Sequence, residues 1–101
     1  MYRSHNCGEL RIKHVGLEVK LSGWIHKIRD KGSLIWIDLR DRYGITQIII
    51  DTNESSKNLV EQVKKVGREY VISVKGMVKE RESKNPNIGT GDIEITLQEI
   101  E

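Results

Sequence analysis

Long apolar runs, cysteine and proline are scarce in this 101-residue sequence, which contains one cysteine, Cys7, and one proline, Pro86. No apolar run approaches the roughly 20 residues that a membrane-spanning helix requires, and the start, MYRSHNCGEL, lacks the apolar stretch of a signal peptide. We therefore expect no contact with a membrane. A single cysteine cannot form an internal disulfide, which favours a reducing compartment, the cytoplasm. Because no basic or catalytic residue lies near Cys7, we expect a buried thiol rather than a reactive one.

Charge of one sign is not in large excess either. The 17 lysines and arginines outnumber the 15 acidic residues by two, which gives a formal net charge of +2. A domain that binds nucleic acid through electrostatics alone is usually more basic. If this chain binds nucleic acid, a few selected residues must therefore provide the recognition.

Motifs for catalysis and metal binding are absent from the sequence. The histidines His5, His14 and His26 have no metal-ligand spacing, and one cysteine cannot complete a zinc site. No serine lies in a nucleophile-elbow motif, and no GxxxxGK loop is present to bind phosphate. We expect neither a catalytic residue nor a metal site in this chain.

Five segments are predicted as β-strands, and most of them alternate apolar and polar residues with a period of two. They are residues 19–29, 34–39, 45–50, 70–79 and 93–97. Gly23, inside the first segment, predicts a bulge or bend, after which the strand changes the face that it buries. On that interpretation Trp24, the next residue, belongs to the core.

One segment between the third and fourth strands has helical periodicity. Its apolar positions are Leu59, Val60, Val63 and Val66. Asn53 or Ser55 is the predicted N-cap, and Gly67 is the predicted C-terminal stop. Three strands, a helix and two strands form the order of an all-β fold, the five-stranded Greek-key OB-fold barrel with one α-helix between strands 3 and 4. An SH3-like barrel is the alternative, but it has no place for the helix. We predict a single domain over residues 1–101.

The second strand places Trp36 on the face opposite to Ile35, Ile37 and Leu39. In an OB barrel the outer face of strands two and three is the usual nucleic-acid surface, and an aromatic ring there can stack on an unpaired base. Packing of the ring on Leu34 or at a contact with another domain is the alternative for this residue.

Four polar residues are predicted on or beside the same face. Gln47 can both donate and accept hydrogen bonds at a base edge, whereas Glu94 offers only acceptors, which suit the N1–H and 2-amino donors of guanine. Arg29 and Arg81 provide planar forks for phosphate or base contacts. Each residue alone could be an ordinary surface residue. Their combination on one face favours nucleic-acid binding.

Several segments together resemble a known family. CGELR, HVG, LSGWIHKIRDKGSLIWIDLRDRYGITQIII, GMVKER and GTGDIEI are similar to the N-terminal domain of bacterial-type aspartyl-tRNA synthetases. The similarity runs over nearly the whole chain. The corresponding domains of asparaginyl- and lysyl-tRNA synthetases share the fold with looser similarity and remain an alternative.

The resemblance implies an OB-fold domain that binds the unstacked anticodon loop of aspartate tRNA, with the sequence GUC or its queuosine-modified form. It implies that Trp36 stacks on the central uridine, where the family commonly has phenylalanine, and that Arg29 lies beside the same base. It also implies that Gln47 hydrogen-bonds the second and third bases. Glu94 matches the glutamate that binds the first base, guanine.

Two further residues, Arg81 and Asn85, match polar residues that line the loop over the anticodon. The parent enzymes continue into a class II catalytic domain that binds ATP, Mg²⁺ and aspartate, and the motifs of that domain do not occur here. We therefore expect this chain to bind tRNA without aminoacylating it, to need no cofactor of its own, and to be a monomeric piece of a homodimeric parent. Two other functions stay open: a stand-alone binder of single-stranded nucleic acid, and a protein-interaction barrel anchored by Trp36.

Overall fold

The structure, a computed structural model, describes residues 3–101. Within them the chain forms a short 3₁₀ turn, Ile12–His14, followed by strands β1 (Glu18–Asp30), β2 (Leu34–Asp41) and β3 (Gly44–Asp51), helix α1 (Lys57–Lys64), and strands β4 (Val71–Glu80) and β5 (Ile93–Ile100). The strands close into a barrel in the order β1-β2-β3-β5-β4, with β4 also paired to β1. The predicted five-stranded barrel with one helix between β3 and β4 is confirmed. Met1 and Tyr2, with which the predicted domain begins, lie outside the described residues.

The barrel interior is filled by the apolar residues of each alternating pattern. Ile35, Ile37 and Leu39 of β2 are all buried, as predicted. The other strand residues in this core are Val19, Leu21, Ile25, Ile48, Ile50, Ile72, Val74, Val78, Ile93, Ile95, Leu97 and Ile100. Removal of this apolar surface from water, at roughly 25 cal/mol per Å², is the main driving force for closing the barrel. The opposite positions of the same strands therefore face outward.

Strand β1 continues its alternation through Gly23, so two expectations about this region are wrong. The register shifts between Ile25 and Lys27, which places the bulge three residues after the glycine. Leu21 and Ile25 are both buried, and Trp24 between them is only half-buried and faces outward, outside the core. Gly23 instead permits close strand packing, because a Cβ atom there would lie 2.3 Å from the carbonyl oxygen of Arg40.

Helix α1 begins later and ends earlier than the sequence predicted. Its N-cap is Ser56, whose Oγ accepts a hydrogen bond from the Leu59 N–H at 3.1 Å. Asn53 is not the N-cap, because it lies in a turn in which its N–H donates to Oδ1 of Asp51. Ser55 is not the N-cap either, because it lies one residue before Ser56. The helix ends at Lys64 with Lys65 as C-cap, so Gly67 is not the stop. None of the helices that the structure describes could span a membrane.

Candidate nucleic-acid interface

The outward positions of β2 and β3 form the first part of the site. Trp36 pairs with Ile49, and Asp38 pairs with Gln47, so these four side chains share one side of the sheet. Arg29 on β1 is the register partner of Trp36 and lies on the same side. We call this side of β1, β2 and β3, with the adjoining positions of β4 and β5, the outer face. It contains the predicted tryptophan, glutamine and first arginine.

Gln47 is the centre of a hydrogen-bonded cluster on this face. Its Oε1 accepts from Arg29 Nη2 at 2.9 Å and also from Arg81 Nη2, while its Nε2 donates to Oε1 of Glu94 at 2.9 Å. Gln47 points away from the barrel interior, yet it is only 8% exposed because these partners cover it. The structure therefore brings four of the six predicted residues, Arg29, Gln47, Arg81 and Glu94, into direct contact. We call them the Gln47 cluster.

Glu94 projects outward from β5 and is also buried. The parallel pairing of β3 with β5 aligns Ile48 with Ile95, which sets the preceding residues, Gln47 and Glu94, side by side. Its second carboxylate oxygen, Oε2, lies 3.5 Å from Nζ of Lys79, the residue opposite it on β4. Sequence reasoning missed Lys79. Its outward position on β4, within the GMVKER segment, was a signal, but the pairing with Glu94 becomes visible only when the barrel closes.

Trp36 forms one wall of a depression next to the cluster. The guanidinium carbon of Arg29 lies 6.0 Å from the centre of the tryptophan ring, within the range of a cation–π contact. The depression has a volume of about 300 Å³. Its lining residues are Leu34, Trp36, Gln47, Ile49, Asp51, Lys79, Arg81, Glu82, Ser83 and Glu94. A half-buried aromatic ring thus borders the same space as a set of hydrogen-bonding groups.

Of the two predicted residues between β4 and β5, Arg81 contacts Gln47 and Asn85 does not. Arg81 reaches across to Gln47 and also donates from Nη1 to the Gly91 carbonyl oxygen at 3.2 Å. Its Nε is the buried side-chain polar atom, within residues 3–101, that lacks a hydrogen-bond partner. Asn85 does not join the cluster, because its Oδ1 accepts from the N–H of Asn87 at 3.0 Å inside the segment itself. Its contact with an anticodon stays a prediction.

Neither a metal site nor a reactive thiol is found among the described residues. In the part of the chain that the structure describes, no three histidine, cysteine or acidic side chains converge as metal ligands would. Cys7 is fully buried, as predicted. Burial raises the pKa of its thiol, and the Asp41 carboxylate acts in the same direction, although Arg3 partly opposes both effects. The outer face accordingly offers a stacking surface, amide and carboxylate hydrogen-bonding groups, and cations.

Known proteins match this chain in sequence and in fold. The aspartate–tRNA ligase of Flavobacterium psychrophilum is 58% identical over 100 residues, and that of Amoebophilus asiaticus is 55% identical. Each match covers 99% of this chain and 17% of the relative, so the chain spans about a sixth of the curated relatives it matches. The solved structure of asparaginyl-tRNA synthetase from Pyrococcus horikoshii, complexed with asparaginyl-adenylate, superposes with a TM-score of 0.83 at 30% identity. That match covers 100% of this chain and 22% of the archaeal one.

These comparisons confirm the resemblance to aspartyl-tRNA synthetases that the sequence motifs indicated. The model of a family described as the OB-fold nucleic acid binding domain, of the tRNA anticodon type, matches residues 19–101. That range contains the five strands of the barrel, except for Glu18 at the start of β1, and all members of the Gln47 cluster. The chain belongs to the tRNA-anticodon family of OB-fold nucleic acid binding domains.

Proposed function

We propose that this chain is the anticodon-binding domain of an aspartate–tRNA ligase and that its outer face binds the GUC anticodon of aspartate tRNA, or its queuosine-modified form. The observation that carries the proposal is the Gln47 cluster beside Trp36. Two arginines hold the Gln47 amide from one side and Glu94 holds it from the other. Because the amide is fixed before any base arrives, little conformational entropy is lost when it binds one.

Trp36 and Arg29 are assigned to the central base. The tryptophan ring is half-buried and borders the depression, so one of its faces can cover an unpaired uracil. Stacking of a base on an aromatic side chain contributes about 1–3 kcal/mol. Uracil has two carbonyl acceptors, to which the second Nε2 hydrogen of Gln47 and the remaining guanidinium N–H groups of Arg29 can donate, whereas Oε1 of Gln47 already accepts from Arg29 and Arg81. Stacking therefore provides affinity here, and the amide provides selectivity.

Glu94 is assigned to the first base, guanine. Oε1 accepts from Gln47, whereas Oε2 faces Lys79 at 3.5 Å, which is longer than a direct hydrogen bond. A carboxylate can accept from both the N1–H and the 2-amino group of guanine, whereas adenine presents an acceptor at N1. With adenine, Glu94 keeps its contacts with Gln47 and Lys79 but gains no hydrogen bond from the base, and two acceptors would face each other. Adenine at this position should therefore be disfavoured.

The parent protein of this proposal is a cytoplasmic, homodimeric ligase that aminoacylates tRNA in translation. ATP and Mg²⁺ would be bound by its class II catalytic domain, to which none of the residues described above is assigned. The role of this chain is to select the tRNA. Binding energy at the anticodon discriminates between tRNAs by the difference in affinity for the correct and incorrect bases.

The experiment is a titration of the chain with anticodon stem-loops of aspartate, asparagine and lysine tRNA at one fixed salt concentration. We expect the aspartate stem-loop to bind most tightly. Trp36→Ala should weaken its binding by about 1–3 kcal/mol, and Trp36→Phe, which keeps a stacking surface, should weaken it less. Glu94→Gln should reduce the preference for guanine over adenine at the first anticodon position.

Three outcomes would contradict the proposal. Equal affinity for all three stem-loops with steep salt dependence would identify a sequence-tolerant single-strand binder. No RNA binding at all would favour a protein-interaction barrel with Trp36 as its anchor. An unchanged first-base preference in Glu94→Gln would remove Glu94 from base recognition.

A further inference from the structure

A second group of arginines lies at the far end of the outer face from Trp36. Arg40 follows Trp36 and Asp38 on the same side of β2, and Arg42 lies in the turn between β2 and β3. Arg11 approaches them from the segment that precedes β1. We call these three residues the arginine cluster. Together with Tyr43 they line a depression of about 500 Å³ that is separate from the one beside Trp36.

The arginine cluster has no acidic counterpart. Among residues 3–101, no carboxylate lies within ion-pair distance of these three side chains. Asp41 borders the same depression, but its oxygens already accept backbone hydrogen bonds. Oδ2 accepts from the Cys7 N–H at 2.8 Å, and Oδ1 accepts from the N–H groups of Tyr43 and Gly44 at 2.8 and 3.1 Å. The depression therefore presents three guanidinium groups that form no ion pair within residues 3–101 and that outnumber the one carboxylate beside them.

Arg11 is held in place before any ligand binds. Its Nη1 donates to the carbonyl oxygens of Gly8 and Leu10 at 2.8 and 2.9 Å. A Cβ atom at Gly89 would lie 2.9 Å from Nη2 of Arg11, so the glycine leaves room for the other arm of the guanidinium. Because the fork is fixed, it loses less entropy on binding an anion than a free surface lysine does.

The ring of Tyr43 lies close to two cations at the rim of the depression. The guanidinium carbons of Arg42 and Arg3 lie 5.8 and 5.4 Å from the centre of its ring, so the ring attracts both cations. Tyr43 itself is 55% exposed. An exposed aromatic ring among unpaired arginines is the composition of a nucleic-acid-binding groove rather than of a protein core.

We propose that the arginine cluster binds backbone phosphates of the RNA strand whose bases occupy the outer face at Trp36. This inference rests on the proposed function, because it assumes that RNA lies on that face. Arg40 is four residues from Trp36 along β2, or about 13 Å at 3.3 Å per residue, a distance that a few nucleotides can span. Guanidinium groups match phosphate oxygens in a bidentate manner. Such contacts fix the position of the RNA and carry no sequence information.

The test compares two RNA hairpins, the aspartate anticodon stem-loop with GUC and the same hairpin with GAC, over a series of salt concentrations. The variants are Arg40→Ala/Arg42→Ala and, as a control of the same charge type, Arg68→Ala, which alters an exposed arginine between α1 and β4. Arg42→Lys keeps the charge but removes the fork. Thermal unfolding of each variant verifies that the barrel is intact.

We expect the double variant to weaken binding of both hairpins by the same factor. Each lost phosphate contact should make the slope of log K against log salt less steep by about 0.7 to 0.9. The loss of affinity per contact should therefore be about five- to eightfold larger at 0.1 M salt than at 1 M salt. The preference for GUC over GAC should not change. Arg68→Ala should behave as the wild type, and Arg42→Lys should lie between them.

A double variant with the slope of Arg68→Ala would overturn the inference and would favour a protein contact at the arginine cluster. A changed GUC preference with an unchanged slope would also overturn it, since the arginines would then contact bases. Failure of the proposed function gives a different result: the wild type would bind both hairpins equally, while a reduced slope in the double variant would still support the phosphate site.

Discussion

Replacement of Gln47 by leucine should destabilise the barrel, although leucine is similar in size and is usually favoured at buried positions. The change removes one acceptor that serves Arg29 and Arg81 and one donor that serves Glu94. Two of these partners are shielded from water: Arg81 is half-buried, and the Glu94 side chain is 9% exposed. Arg29, with its side chain 40% exposed, can hydrate instead. The cost therefore comes chiefly from Arg81 and Glu94.

The magnitude follows from the two shielded hydrogen bonds. A hydrogen bond to a charged group contributes about 1.5–3 kcal/mol, so the loss of two amounts to about 3–6 kcal/mol. Burial of the leucine side chain recovers about 1–2 kcal/mol. The free energy of unfolding of Gln47→Leu should thus fall by about 1–5 kcal/mol. With an m-value near 2 kcal/mol/M in urea, the midpoint should fall by about 0.5–2.5 M.

The assay is equilibrium urea unfolding followed by circular dichroism, with Gln62→Leu as the matched control. Gln62 lies on the exposed side of α1, and leucine and glutamine have similar helix propensity, so this control should change stability by less than about 0.5 kcal/mol. Equal midpoints for the two variants would refute the reasoning. Gln47 would then not hold its charged partners in solution.

Two further predictions concern the scaffold. Ser56→Ala removes the N-cap of α1 and should lower the free energy of unfolding by about 0.5–2 kcal/mol. The control, Ser55→Ala, should change it by less than about 0.5 kcal/mol. Urea unfolding of both variants measures the two effects, and the reverse ranking would contradict the assignment of Ser56 as the cap. Burial raises the pKa of the Cys7 thiol in the folded state, so the stabilisation linked to this group is complete below the unfolded-state pKa of about 8.5 and is lost as the pH rises above it. Between pH 7 and pH 9.5 the stability advantage of the wild type over Cys7→Ala should shrink by about 1.4 kcal/mol, as measured by urea unfolding at both values, and a constant difference would show that the thiol ionises in the folded protein.

Strand positions could be predicted because alternation is a local property. Inward residues such as Ile37 and outward residues such as Trp36 differ by one step of a period that the sequence displays directly. Trp24 was wrongly predicted to lie in the core, because the role of the neighbouring Gly23 is not a local property. A glycine in a strand signals either a bulge or a close backbone approach, and only the position of Arg40 on β2 decides between them.

The helix ends were predicted wrongly because several residues competed for the same role. Asn53, Ser55 and Ser56 are all suitable N-caps. The choice depends on Asp51, whose carboxylate accepts from the N–H groups of Asn53 and Glu54 and so keeps that segment in a turn. At the other end, Leu59 and Val63 reach the core, and the helix stops soon after them.

The sequence by itself determined the fold class and the chemical types of the site residues, because both depend on which side chains occur and at what period. The tertiary structure alone decided that Gln47 contacts Arg81 and Glu94, that Lys79 joins Glu94, and that Asn85 stays apart. These contacts depend on the register between β3, β5 and β4, strands that are distant in sequence. Closure of the barrel sets that register through its buried apolar faces, since a shift of one residue would turn each apolar face outward.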